Sequence, residues 1–158
     1  IITRTFSKAM GMAGLRVGYL MAHPELVGQI AKAKLPYNIN QFSLIAAEVA
    51  LDNVSRFRPA IDAILRERER LGTELRSIPG VRVFPTAANF FLFEMAVPPR
   101  TVFDDLYRQN VLIRDVSSYP MLANCLRVSV GTREENDRFL AALRVSIQKA
   151  APTGTVSA

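Results

Sequence analysis

Cysteine and histidine are nearly missing from this chain of 158 residues, which holds one of each, Cys125 and His23. A lone cysteine cannot close an internal disulfide, and this usage fits a reducing cytoplasm. One histidine and one cysteine also exclude a metal cluster or a Cys/His dyad built within the chain. No apolar run approaches the ~20 residues that span a bilayer. Nor does a basic stretch followed by an apolar one open the chain as an export signal would. Blocks of one-signed charge are absent too. The net charge is +6, yet the densest cluster, Arg66-Glu67-Arg68-Glu69-Arg70, alternates in sign. It reads as a solvated helix face laced with ion pairs, not as a nucleic-acid patch. His23 precedes Pro24 and is expected at the surface.

What is there is ordinary for a globular chain: 49% hydrophobic and 22% charged residues, long enough for one domain with a core. Ile1 to Thr3 ends an apolar, β-rich run. Leu15 to Met21 reads as a strand, and Pro24 favours entry into a helix over Glu25 to Lys34. A second apolar helix is expected over Gln41 to Leu51. A long helix should cover Val54 to Ser77, with Phe57, Ile61, Ile64, Leu65, Leu71 and Leu75 at three- and four-residue steps and a true start or bend at Pro59. After the Pro79-Gly80 turn, strands are expected at Val81 to Phe84, Asn89 to Glu94, Val111 to Arg114 and Cys125 to Val130. Thr101 can cap a short helix to Asn110. Thr132-Arg133-Glu134-Glu135 matches a capping box before a final helix to Lys149.

Chemistry concentrates in the run Thr5-Phe6-Ser7-Lys8-Ala9-Met10-Gly11-Met12-Ala13-Gly14-Leu15-Arg16-Val17-Gly18. It combines an amine, two hydroxyls, three glycines and a guanidinium. An amine that forms an imine with a phosphorylated aldehyde needs such a set, because hydroxyls and a guanidinium can hold the phosphate. Each part also has a plainer reading. Lysine in a Gly/Ser loop is usually just solvated, and Ser and Thr are common turn residues. Taken together, with Arg16 eight residues after Lys8, the run resembles the cofactor-lysine signature of fold-type I aminotransferases that use pyridoxal 5'-phosphate (PLP). The resemblance implies that Lys8 carries the imine and moves protons. It also implies that Thr5, Ser7 and Arg16 bind the cofactor phosphate.

Arg127 lies among apolar strand residues in Leu126-Arg127-Val128-Ser129-Val130, where an unpaired arginine is costly. It either pairs structurally with an acid or holds a substrate anion. Arg114 precedes it by thirteen residues and could pair with the adjacent Asp115. The stretch Val111 to Tyr119, followed by Asn124-Cys125-Leu126-Arg127 and Gly131-Thr132-Arg133-Glu134-Glu135-Asn136, resembles the histidinol-phosphate aminotransferases. In that family two arginines at these places gather the phosphate end of the substrate, so Arg114 and Arg127 become candidate substrate-binding residues.

The resemblance implies an α/β fold: the C-terminal end of a fold-type I large domain over 1–53, a connecting long helix over 54–78, a small α+β C-terminal domain over 79–150, and a tail over 151–158. It also implies a piece of a longer enzyme, inactive alone. Amino groups would pass between a phosphate- or carboxylate-bearing donor and 2-oxoglutarate, in a cytoplasmic homodimer with no nucleic-acid or membrane partner. Rival readings are an aromatic-amino-acid aminotransferase, a threonine-phosphate decarboxylase, and the aminotransferase-like domain of a transcription regulator.

Overall fold

Six strands and five α-helices run through residues 1–151, which the computed structural model describes. These residues divide into two compact units, Ile1–Asp62 and Ala63 onward.

In the first unit β1 (Ile2–Thr5) pairs antiparallel with β2 (Gly18–Met21), Thr5 facing Gly18 and Ile2 facing Met21. The intervening segment is a long, ordered loop. Helix α1 (Pro24–Ala33) starts with proline in its first turn, where no N–H is needed. Helix α2 (Gln41–Asp52) is capped by Asn40, whose side-chain oxygen accepts from the Ser43 N–H at 2.8 Å. Phe6, Val17, Ala47 and Ala50 form a small core, with Met10, Met12, Leu15, Ile39 and Phe57 against it. The strand expected from Leu15 starts only at Gly18. Ala13–Leu15 instead forms a 3-10 turn and Arg16 is left-handed (φ 54°), a conformation no strand accommodates.

A single 3-10 turn, Val54–Arg56, leads into α3 (Arg58–Arg76), so the expected long helix is interrupted just before Pro59. The second unit continues with β3 (Val81–Val83), β4 (Phe90–Met95), α4 (Pro99–Arg108), β5 (Arg114–Asp115), β6 (Cys125–Ser129) and α5 (Arg133–Ala150). The strands form one antiparallel sheet in the order β3-β4-β6-β5. Alternation along β4 buries Phe91, Phe93 and Met95 on one face. There they join Leu71 and Leu75 of α3, Val102 and Leu106 of α4, and Phe139, Leu140 and Leu143 of α5 in one core. Phe90, Leu92 and Glu94 point to the opposite face, together with Arg127 and Arg114.

Three further expectations need correcting. Thr101 caps nothing: α4 begins two residues earlier, at Pro99, without a side-chain cap, because a proline at the first helical position has a helical φ and no N–H to satisfy. The strand expected over Val111 to Arg114 shrinks to Arg114–Asp115. Here Asn110 leaves α4 in the left-handed region (φ 57°), and the Val111 N–H donates back to Leu106 O at 2.9 Å. The Arg66–Arg70 run does form ion pairs, Arg70–Glu67 at 2.7 Å and Arg68–Glu69 at 3.2 Å, but Glu67 and Arg70 are largely buried. The capping box at Thr132 and Glu135 is present as expected. From residue 152 on, the expected tail lies outside the described residues. Among the described residues no helix is long and apolar enough to cross a membrane.

Candidate functional site

Lys8 sits in the loop that joins β1 to β2, and local bonding fixes that loop. The Phe6 N–H donates to Val17 O at 3.2 Å and closes its base. The Met12 N–H returns to Phe6 O at 3.1 Å, and the Gly11 N–H to Lys8 O at 3.0 Å. Gly11 takes φ 67°, which only glycine adopts without strain, and this turns the chain directly after the lysine. At Gly18 a Cβ would lie 2.7 Å from Arg4 O, so the strands could not close with a larger residue. Phe6 and Val17 are buried on either side. The loop is thus nailed to the unit's core, while Lys8 is exposed and makes no ion pair among the described residues.

Around it the donor set is mostly uncommitted. Thr5 Oγ1 accepts from the Ser7 N–H at 3.1 Å, and its own O–H remains a donor. Arg16 gives one N–H to Ala13 O at 2.9 Å, and its remaining donors are unspent. An amine, two hydroxyls and a guanidinium on one loop and the strand end that leads into it are chemically what a phosphorylated aldehyde requires. Of the expected cofactor residues, Ser7, Lys8 and Arg16 fall on this loop, and Thr5 is the last residue of β1, directly before it.

In the second unit Arg114 of β5 and Arg127 of β6 are direct cross-strand partners. They therefore project from the same face of the sheet. Both line a cavity of about 560 Å³, together with Asn110, Glu135, Arg138 and Phe139. The Arg127 guanidinium lies 4.9 Å above the Phe90 ring centroid, a cation–π contact, and its Nε is buried without a hydrogen-bond partner. Such an orphaned donor costs about 1–3 kcal/mol. No acid within the described residues pairs with Arg127 or Arg114. Arg114 gives an N–H to the Tyr119 phenol oxygen at 3.2 Å, while Asp115 accepts from Ser117 N–H and Oγ at 2.9 and 2.6 Å. The Ser117 hydroxyl, foremost, and its N–H hold the Asp115 carboxyl below the usual carboxylate range. The alternative pairing of Arg114 with Asp115 is therefore not what the structure forms.

The end of β6 is fixed from behind by residues that sequence reasoning passed over. Asn136, almost fully buried, accepts from the Gly131 N–H at 3.0 Å and donates to Gly131 O at 3.1 Å and Glu67 Oε2 at 2.9 Å. Glu67 also takes Arg70, which reaches Asp137 at 2.6 Å. The Arg70 guanidinium, then Asn136, lower the Glu67 pKa against the opposing effect of burial. The signal for Asn136 was its place directly after the capping box, on the first turn of a helix abutting β6. Tyr119 and Phe90 also gained partners that the sequence did not announce.

Residues 1–143 match the model of aminotransferase class I and II, and the chain belongs to this family. Its mixed α/β fold is that of part of a fold-type I PLP-dependent aminotransferase. A histidinol-phosphate aminotransferase of Aquifex aeolicus is 44% identical over 149 residues, covering 94% of this chain and 42% of that protein. The crystal structure of histidinol-phosphate aminotransferase from Sinorhizobium meliloti, in complex with pyridoxal-5'-phosphate, superposes with a TM-score of 0.79 at 28% identity, over 94% of this chain and 41% of that one. L-threonine-O-3-phosphate decarboxylase from Porphyromonas gingivalis gives a TM-score of 0.80 at 27% identity, over 92% and 46%. The chain spans about two-fifths of the length of the curated relatives it matches.

Proposed function

We propose that this chain is part of a PLP-dependent histidinol-phosphate:2-oxoglutarate aminotransferase. The observation that carries the reading is the pair Arg114 and Arg127. These are two guanidiniums in direct register on one sheet face, neither paired with an acid among the described residues. A dianionic phosphate suits two such groups, whereas a single carboxylate would be served by one. Relatives named for a phosphorylated donor, at 44% identity, support the same choice.

In this reading residues 1–53 are the end of the large cofactor domain, 54–78 the connecting helix, and 79–150 the small C-terminal domain. Thr5, Ser7 and Arg16 hold the cofactor phosphate through hydroxyl and guanidinium donors. When bound, PLP supplies an aldehyde for an amine and a ring that draws electrons from the substrate's α-carbon. Lys8 contributes the amine that anchors the cofactor, and, once freed, it carries the proton to and from the α-carbon. Arg127, flattened on Phe90, and Arg114 receive the donor's phosphate and set its orientation. The amino group leaves the donor and passes to 2-oxoglutarate. The protein would work in the cytoplasm as a homodimer.

A second reading shares the phosphate. The likeness to a threonine-phosphate decarboxylase, at a TM-score of 0.80, supports it. The two readings separate in one experiment on the complete, PLP-loaded protein. L-Histidinol phosphate is added without a keto acid, and the visible absorbance of the bound cofactor is followed. The aminotransferase consumes that absorbance and then requires 2-oxoglutarate to restore it. Release of carbon dioxide from L-threonine phosphate, with no response to histidinol phosphate, would replace the first reading by the second.

A further inference from the structure

Resting on the reading of Arg114 as an anion-binding residue, we infer that Tyr119 is a positioning residue that aims Arg114 at the phosphate end of the donor. Arg114 and Arg127 face each other across β5 and β6. Side chains so paired start about 4.5–5.5 Å apart, and like charges there repel. Left alone, Arg114 would swing away into solvent, since it is exposed and makes no ion pair among the described residues. An acid could restrain it, but a carboxylate would also cancel the charge that an incoming anion needs. The neighbouring acid is kept out of the way. Asp115 faces Leu126 rather than Arg127, and accepts from Ser117 N–H and Oγ at 2.9 and 2.6 Å.

Tyr119 solves the problem with a neutral acceptor. Its phenol oxygen takes one Arg114 N–H at 3.2 Å, which fixes the guanidinium and leaves its charge and its other donors available. The loop that presents Tyr119 is itself built. Asp115 and Ser117 set its first turn. The Tyr119 N–H then donates to Val116 O at 3.0 Å, and the Leu122 N–H to Tyr119 O at 3.1 Å. Val116 is buried beneath it. The backbone that carries Tyr119 is therefore held in place independently of the arginine.

Tyr119→Phe removes only the oxygen and keeps the ring. Steady-state kcat and KM would be measured on the complete, PLP-loaded protein with L-histidinol phosphate and with unphosphorylated L-histidinol. Releasing one long side chain from a preset geometry should raise KM for the phosphorylated donor about two- to tenfold. Its kcat and the constants for L-histidinol should stay level. An unchanged KM for the phosphorylated donor would overturn the inference, as would an equal loss on both donors, which marks a merely structural residue. Failure of the unsubstituted protein to turn over L-histidinol phosphate would instead remove the functional reading, and the inference with it.

Discussion

The two units of this chain are built on opposite terms. The second rests on seventeen buried apolar residues drawn from three helices, the two central strands and the segments that join them, so its geometry follows from its own packing. The first buries only four, and leaves Ile2, Tyr19, Met21, Phe42, Ile45 and Val49 about half exposed or more. Its order comes from backbone bonds within the Phe6–Val17 loop and from two glycines where a side chain would strain or clash. Each mode suits the chemistry proposed for it. A phosphate is best wrapped by a loop whose donors point inward. Two guanidiniums proposed to grip a substrate end are best set on a rigid sheet with a core behind it.

The comparison predicts very different responses to substitution. The largest effect belongs to the loop. Lys8→Ala in the complete protein should lower turnover by roughly 10³-fold or more, since both the anchoring amine and the proton carrier go. Loss of the bound cofactor's visible absorbance checks it, and retained absorbance would remove Lys8 from its role. Next comes the core. Phe93→Ala, at a fully buried position in the second unit, should cost about 3–5 kcal/mol in denaturant unfolding of this chain. By contrast, Phe42→Ala in the first unit, 72% exposed, should stay within about 0.5 kcal/mol. Equal costs would erase the distinction between the units.

A smaller effect is pH-dependent. The folded pKa of Glu67 lies below its ordinary value, chiefly through the Arg70 hydrogen bond. Its contribution to stability is therefore complete above the usual carboxylate range and is lost as pH falls through the folded value. Asp105, lowered first by the Ser146 hydroxyl and then by Lys149, acts in the same direction. Acid titration of unfolding should show the second unit weakening below about pH 4. Glu67→Gln should flatten that slope and cost about 1–3 kcal/mol at neutral pH. A slope unchanged by the substitution would mean that Glu67 carries no such linkage.

Much of this was legible in the sequence where the signal was local. The capping box at Thr132 and Glu135 spans four residues and was read directly, as was the alternation of strands and helices after Pro79. Pro59 marked the start of α3 because a proline constrains its own neighbourhood. Illegible features depended on partners far along the chain. Glu67 and Asn136 lie in separate helices, so an alternating charge run looked solvated until Asn136 and Asp137 were placed beside it. The shortened strand at Arg114 follows from the left-handed exit at Asn110, a single backbone angle that hydrophobic spacing does not report. Among the candidate site residues, the sequence grouped Arg114 with Arg127. It could not reveal that they sit in direct register, nor that Tyr119 and Phe90 hold them.

The central claim is a division of labour: the loop of the first unit holds the cofactor phosphate, and the sheet face of the second holds the substrate anion. The most direct test is a titration of PLP into the complete cofactor-free protein and its Arg16→Gln and Arg127→Gln variants. Loss of a guanidinium–phosphate contact should weaken PLP binding by about 10- to 100-fold in Arg16→Gln, and Arg127→Gln should bind it as the unsubstituted protein does. The opposite order, or equal weakening in both, would contradict the account.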